Sequence, residues 1–324
     1  MRILMWHVHG SWATAFVEGP HDYFLPLTPG RDADGLGRAR TWDWPSSVVE
    51  VPVDQLRELD VDVVVLQRPE ELALAEKWTG RRPGRDVPAV YVEHNAPLGD
   101  VPCTRHPLAD QSAIPIIHVT HFNRLMWDCG DAPVDVVEHG IIDPGHRYTG
   151  ELARAAVVTN DPVRRGRTVG ADLMLMLARR VPVDVFGMNV ARLAGEGTML
   201  VTHPDLSQAA MHEELSRRRV YVHTCRWTSL GLSLLEAMHL GLPVVALATT
   251  EAAEAVPPGT GFLTNRPDEM LATVQRLLHD PAEAHQLGAA GRRQALARYG
   301  VDRFLADWDD QLARWVGVAA AVRA

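Results

Sequence analysis

The sequence predicts an α/β protein built from two doubly wound, Rossmann-like domains. Its 324 residues suit two domains of roughly 150 residues better than one core. Short β-branched apolar runs recur with turn residues behind them, the pattern of strands buried on both faces of a parallel sheet. Stretches with helical spacing alternate with those runs, most cleanly in the second half.

In the first half, strands are expected at 3–6, 61–66, 89–92 and 114–119. The segment 12–47 is rich in Gly, Pro, Asp and aromatics without a clear period, so it reads as long loops over a cleft. The second half continues with a strand at 155–159, a helix at 170–180, a strand at 183–186, a helix at 208–217 and a strand at 220–223. Asp-Pro-Gly at 143–145 breaks regular structure and puts the linker within 143–150. After Arg303, the residues Phe304, Leu305, Trp308, Leu312 and Trp315 repeat at helical spacing and should bury one face. The expected organisation is a Rossmann-like domain over 1–145, a second over 146–303, and an amphipathic helix over 304–324 that could cross back to the first domain.

Hydrophobic content of 46% with 23% charge is that of a chain with enough apolar surface to fold. A net charge of -9 argues against broad nucleic-acid binding, which depends on Lys and Arg neutralising phosphates. Cys103, Cys129 and Cys225 stand far apart, so neither a disulfide framework nor a thiolate zinc site is suggested, and a reducing cytoplasm is the simpler setting. The apolar run at the N-terminus is too short for a signal sequence. No stretch reaches the roughly 18–20 apolar residues of a membrane span.

The segment 223–243 reads as the end of a strand, a turn, a helix, and a turn into the next strand. Ser229 is expected to cap the helix that Gly231 opens. The backbone N–H groups and dipole of that end form an anion site, and a glycine lets a phosphate approach closely. Glu236 lies about one and a half turns further on, where a carboxylate could accept both hydrogen bonds from a ribose diol.

The run Gly231-Leu-x-x-x-Glu-Ala-Met-x-x-Gly-x-Pro-Val-Val closely resembles the donor site of retaining glycosyltransferase family 4, a family of GT-B fold. The resemblance continues through Glu254-Ala-Val, Gly261-Phe-Leu, Leu277-Leu-His-Asp-Pro and 288–299. It implies two domains facing a central cleft, with the C-terminal helix packing back. It also implies that Glu236 holds the nucleotide ribose, while Ser229, Leu230, Gly231 and Leu232 meet the diphosphate or the sugar. Thr228 stands where the family usually carries a glutamate near the donor sugar, so a hydroxyl replaces a carboxylate there.

In Arg164-Arg-Gly-Arg, the pair Arg165-Gly166 resembles the family's Lys-Gly, and Arg164 or Arg167 stands for its upstream arginine. Guanidinium groups there could clasp a diphosphate in bidentate fashion. His94, in Tyr91-Val-Glu-His-Asn-Ala-Pro, resembles the histidine beside the donor sugar. Gly10, among His7, His9 and Ser11, matches the glycine-bearing loop that approaches the phosphates or the acceptor. His139-Gly140 resembles an Asn-Gly turn closing the first domain. The loops Gly187-Met-Asn and His203-Pro-Asp are the expected base contacts.

His94, Arg164 and Arg165 are thus the catalytic candidates. Gly10, Arg167, Thr228, Ser229, Leu230, Gly231, Leu232 and Glu236 are the donor-binding ones. No metal ligands are nominated, because the histidines lack zinc spacing and Asp32-Ala-Asp34 reads as a turn in a Gly-rich loop. The resemblance implies no cofactor beyond a UDP-, GDP- or ADP-sugar donor, a small acceptor, and retention through front-face attack. Two alternatives stay open: a nucleotide-sugar-binding protein without turnover, motivated by Thr228, and, less favoured, a nucleotide-sugar epimerase.

Overall fold

The computed structural model describes residues 1–101, 103–193 and 197–323. It divides into two units, one of Met1–Gly140 with Val301–Ala324 and one of Ile141–Gly300. Ala324, the last residue of the expected terminal helix, lies outside the described residues.

The first unit contains β1 (Arg2–Met5), α1 (Gly10–Phe16), β2 (Asp22–Leu27), β3 (Val48–Pro52), β4 (Val63–Leu66), α2 (Glu71–Thr79), β5 (Ala89–Glu93), β6 (Ile116–His118), α3 (His121–Met126) and β7 (Val134–Val136). Its seven strands run in the order β3-β2-β1-β4-β5-β6-β7, every pair parallel. Ile3 lies between Tyr23 of β2 and Val63 of β4. Winding therefore reverses between β1 and β4. The all-apolar β4 is buried throughout, as a strand covered on both faces requires.

The expected long loop at 12–47 is corrected by α1 and β2. Tyr23 and Leu25 are buried to 1% and 0% exposure, so β2 is an interior strand. Pro26, which cannot donate to a ladder, hides it from pattern reading. Ala33 and Asp34 do form a turn, with Asp32 Oδ1 accepting from the N–H groups of Asp34 and Gly35 at 3.1 and 3.2 Å. His139-Gly140 is no turn but irregular chain, closed down because a Cβ on Gly140 would stand 2.3 Å from Cβ of Phe304.

The second unit contains β8 (Leu152–Val158), α4 (Pro162–Arg165), α5 (Ala171–Ala178), β9 (Val183–Gly187), β10 (Leu200–Pro204), α6 (Gln208–Arg217), β11 (Arg218–His223), α7 (Leu232–Leu240), β12 (Val244–Leu247), α8 (Ala252–Ala255), β13 (Phe262–Thr264), α9 (Pro267–His279) and α10 (Pro281–Tyr299). The order β10-β9-β8-β11-β12-β13 again reverses beside the first strand, between β8 and β11. His203 and Pro204, expected in a loop, belong to the edge strand β10, where they pair with Phe186 and Gly187.

The last helix, α11 (Val301–Arg323), groups with the first unit. Among its described side chains Phe304, Trp308 and Leu312 are buried, spaced one turn apart. Trp308 meets Trp12 and Phe16 of α1 edge-on, at ring-centroid separations of 5.8 and 5.2 Å, a favoured geometry for aromatic pairs. Among the described residues no helix is long and apolar enough to cross a membrane.

Candidate active site

In an open doubly wound sheet, ligands bind beyond the carboxyl ends of the strands where the winding reverses. In the second unit that place is framed by the loops after β8 and β11. Thr224 Oγ1 donates to the Val169 carbonyl at 2.8 Å, and Arg226 N donates to the Thr168 carbonyl at 2.9 Å. The Arg226 guanidinium donates to both carboxylate oxygens of Asp172 at 2.6 and 2.8 Å and to the Arg167 carbonyl at 2.8 Å. Thr249, after β12, donates to the Cys225 carbonyl at 3.0 Å. The three loops are thereby stitched into one rim.

The arginines of the first loop have unequal commitments. Arg164 pairs with Asp161 at 3.0 Å and Arg167 with Asp172 at 2.8 Å, their side chains 73% and 76% exposed. Such exposed pairs are screened by solvent and contribute little. The Arg165 backbone N–H donates to the Asp161 carbonyl at 2.9 Å, while its guanidinium makes no hydrogen bond or ion pair among the described residues. Burial pushes the Cys225 thiol up, and the nearby Arg165 and Arg226 cations counter that shift.

Gly231 occupies the N-cap of α7, and no side chain caps that helix. The expected capping by Ser229 is therefore corrected: Ser229 lies two residues before the cap, buried at 3% exposure beside Leu230 at 5%. The first-turn N–H groups of a helix lack partners within it, so α7 keeps its anion-favouring end. Thr228, Gly231 and Leu232 are partly exposed. A Cβ on Gly231 would lie 2.5 Å from Cε1 of His223, so packing already demands glycine here. Burial pushes His223 down to about 4. The Tyr221 hydroxyl lies 3.0 Å from Ser233 Oγ and 3.4 Å from His223 Nδ1, which joins the first turn of α7 to β11.

Glu236 is buried at 4% exposure. Gln208 Nε2 donates to its Oε1 at 3.0 Å, and His212 Nε2 lies 3.5 Å from its Oε2. Both neighbours come from α6, four residues apart and so on one helical face.

In the first unit, the loops after β1 and β4 meet where its winding reverses. Gln67 Nε2 donates to the Trp6 carbonyl at 2.6 Å, which leaves Gln67 Oε1 facing His94 Nε2 at 3.1 Å. That nitrogen therefore carries the proton. His94, just past β5, is 7% exposed, and its ring lies 4.1 Å from that of His9 and 5.0 Å from that of Trp12. Burial, helped by His9 and His139, holds His94 well below the usual histidine range. Burial and Arg68 push His9 down to about 4. Gly10 begins α1 directly after His9. Asp172, Arg226, Gln67, Gln208 and His212 escaped the sequence reading, since only tertiary adjacency brings them to these positions. Among the described residues no group of three or more His, Cys, Asp or Glu could hold a metal ion.

This architecture is the GT-B fold of glycosyltransferases. Sucrose-phosphate synthase from Thermosynechococcus elongatus shares it with a TM-score of 0.69 at 14% identity, over 98% of this chain and 100% of that one. HepE of Anabaena, solved in complex with UDP-glucose, gives 0.68 at 14% identity over 97% and 100%. AviGT4, a glycosyltransferase involved in avilamycin A biosynthesis, gives 0.62 at 16% identity over 98% of each chain. Residues 191–294 match the family Glycosyl transferases group 1, which places the family's signature on the segment that carries β10, β11 and Glu236. No curated protein sequence matches the chain.

Proposed function

We propose that this protein is a retaining glycosyltransferase that moves a sugar from a nucleoside diphosphate to a hydroxyl of a small acceptor. The observation that carries the reading is Glu236, a buried carboxylate on the helix behind the winding reversal of the second unit, within the segment that matches the family. It fits a ribose diol, whose two hydroxyls need two acceptor oxygens. HepE, of the same fold, is known in complex with UDP-glucose.

In this reading the site's main task is to stabilise the charge that grows on the departing diphosphate. Arg165 and the uncapped start of α7 supply the positive ends, while Arg164 and Arg167 contribute less because Asp161 and Asp172 already share their charge. Thr228, Ser229, Leu230, Gly231 and Leu232 meet the diphosphate and sugar. Gly10 and a neutral His94 are the candidates that the first unit offers. Front-face attack lets the leaving phosphate oxygen take the acceptor's proton, so no protein nucleophile is required.

Incubation with UDP-, GDP- and ADP-sugars labelled in the sugar, with and without an acceptor panel, tests this reading. Release of nucleotide from at least one donor supports it. Thr228, a hydroxyl in place of a carboxylate, favours a second reading in which the donor binds without turnover. Binding with no release across the whole panel selects that second reading.

A further inference from the structure

We infer that Gln208 and His212 are positioning residues for Glu236, and that together they set the protein's preference for a ribose over a deoxyribose nucleotide. This rests on the reading of Glu236 as the ribose contact. Neither residue belongs to the motif that revealed the helix of Glu236, and their arrangement is visible only once α6 is packed beside α7.

The local sequence anchors the pair. Ser207 is the N-cap of α6, its hydroxyl accepting from the Ala210 N–H at 3.3 Å, which fixes Gln208 as the first residue of the helix. His212 follows one turn later on the same side and is 7% exposed. The Gln208 amide donates to one Glu236 oxygen at 3.0 Å, and the His212 imidazole stands 3.5 Å from the other. A carboxylate on a three-bond side chain can otherwise rotate about its last torsion, which is broad and roughly two-fold. The Gln208 hydrogen bond holds its plane, and the His212 ring, whose Nε2 makes no hydrogen bond among the described residues, packs beside the other oxygen.

An ionised carboxylate has about four acceptor sites on its two oxygens. The Gln208 amide orients Glu236 through one of those sites, and a ribose diol needs one site on each oxygen. The 2′- and 3′-hydroxyls must be met together, so an error in the carboxylate plane costs more with the full diol than with a lone hydroxyl. Gln208 and His212 thus act on affinity through the sugar of the nucleotide, not through its phosphates.

The test is titration calorimetry of UDP, GDP and ADP, and of the 2′-deoxy form of the tightest binder, with the parent chain, Gln208→Ala, Gln208→Glu, His212→Ala and Glu236→Ala. Gln208→Glu keeps the shape and replaces the donor by a like charge, so it reports on orientation where Gln208→Ala alone could leave a void. Circular dichroism and thermal melting confirm that each variant is folded. Gln208→Ala is expected to weaken the ribonucleotide by about tenfold or more, in the range of a hydrogen bond to a charged group, His212→Ala by less, since its Nε2 makes no hydrogen bond among the described residues, and both to weaken the 2′-deoxy nucleotide by much less. Gln208→Glu is expected to weaken the ribonucleotide further. Equal losses for ribo- and 2′-deoxynucleotides in the Gln208 and His212 variants, alongside a large ribose-dependent loss in Glu236→Ala, overturn the inference and leave the ribose reading standing. No loss in Glu236→Ala, or no binding of any of the three nucleotides by the parent chain, overturns both.

Discussion

Gly231 and His223 share a space that admits no further atom: a Cβ on Gly231 would lie 2.5 Å from Cε1 and 3.1 Å from Nε2 of the imidazole. The glycine that begins the α7 turn is thus required by a side chain of the preceding strand, independently of any ligand. Gly231→Ala is expected to cost about 1–3 kcal/mol by overpacking and to lower the midpoint of thermal unfolding. His223→Ala in the same chain should return much of that loss, which differential scanning calorimetry of the two single variants and the double variant will read.

A second tight contact fixes the return of α11. A Cβ at Gly140 would meet Cβ, Cγ and Cδ1 of Phe304 at 2.3, 2.4 and 2.8 Å. Gly140→Ala should therefore destabilise the first unit at least as much as Gly231→Ala does the second, and Phe304→Ala by about 3–5 kcal/mol through the cavity it leaves. Urea unfolding followed by tryptophan fluorescence gives both, since Trp12 and Trp308 lie beside Phe304.

The three arginines after β8 should separate kinetically. Arg165→Ala is expected to reduce kcat/KM by about tenfold or more, equivalent to 1.4 kcal/mol or above, because that guanidinium is held in no ion pair among the described residues and acts on Asp161 only at a distance. Arg164→Ala, which removes a charge already shared with Asp161, should cost distinctly less. Steady-state kinetics on the best donor decides; equal losses would mean that the ion pairs do not persist with donor bound.

Acid should unfold the protein through its buried histidines. Burial holds His9 and His223 at about 4 and His118 and His139 at about 3. The unfolded chain regains the ordinary value of 6.5, so it binds more protons and stability falls as pH drops from about 6.5 toward 3. Glu71, pushed up to about 7 by burial, works in the opposite sense, losing stability as pH rises between 4.5 and 7. The histidines outnumber it, so the melting temperature should fall between pH 7.5 and 5. Neither ring nitrogen of His139 has a hydrogen-bond partner among the described residues, and His139→Leu should flatten that fall without lowering stability at neutral pH.

Where one physical signal dominated, the sequence was legible. Val63-Val-Val-Leu could only be a buried strand, and 208–217 coincides with α6 because its polar and apolar residues follow a helical period. β2 was concealed by Pro26 and the aromatics and glycines around it, although Tyr23 and Leu25 sit in the core. β10 was concealed by being a half-exposed edge strand. Glu236 was legible because its neighbours form a long motif. The partners of Glu236 were not, because Gln208 and His212 are ordinary helix residues until α6 packs against α7. The same holds for Gln67, whose amide decides which nitrogen of His94 carries the proton.

The donor KM of Glu236→Ala tests most directly whether this carboxylate holds the nucleotide. Nucleotide released from the best of the labelled UDP-, GDP- and ADP-sugars should be measured against donor concentration for the parent protein and the variant. The expected result is a donor KM raised by more than about tenfold, the equivalent of 1.4 kcal/mol, with the variant still folded. Unchanged kinetics in a folded Glu236→Ala protein would contradict the assignment of this carboxylate to the donor site.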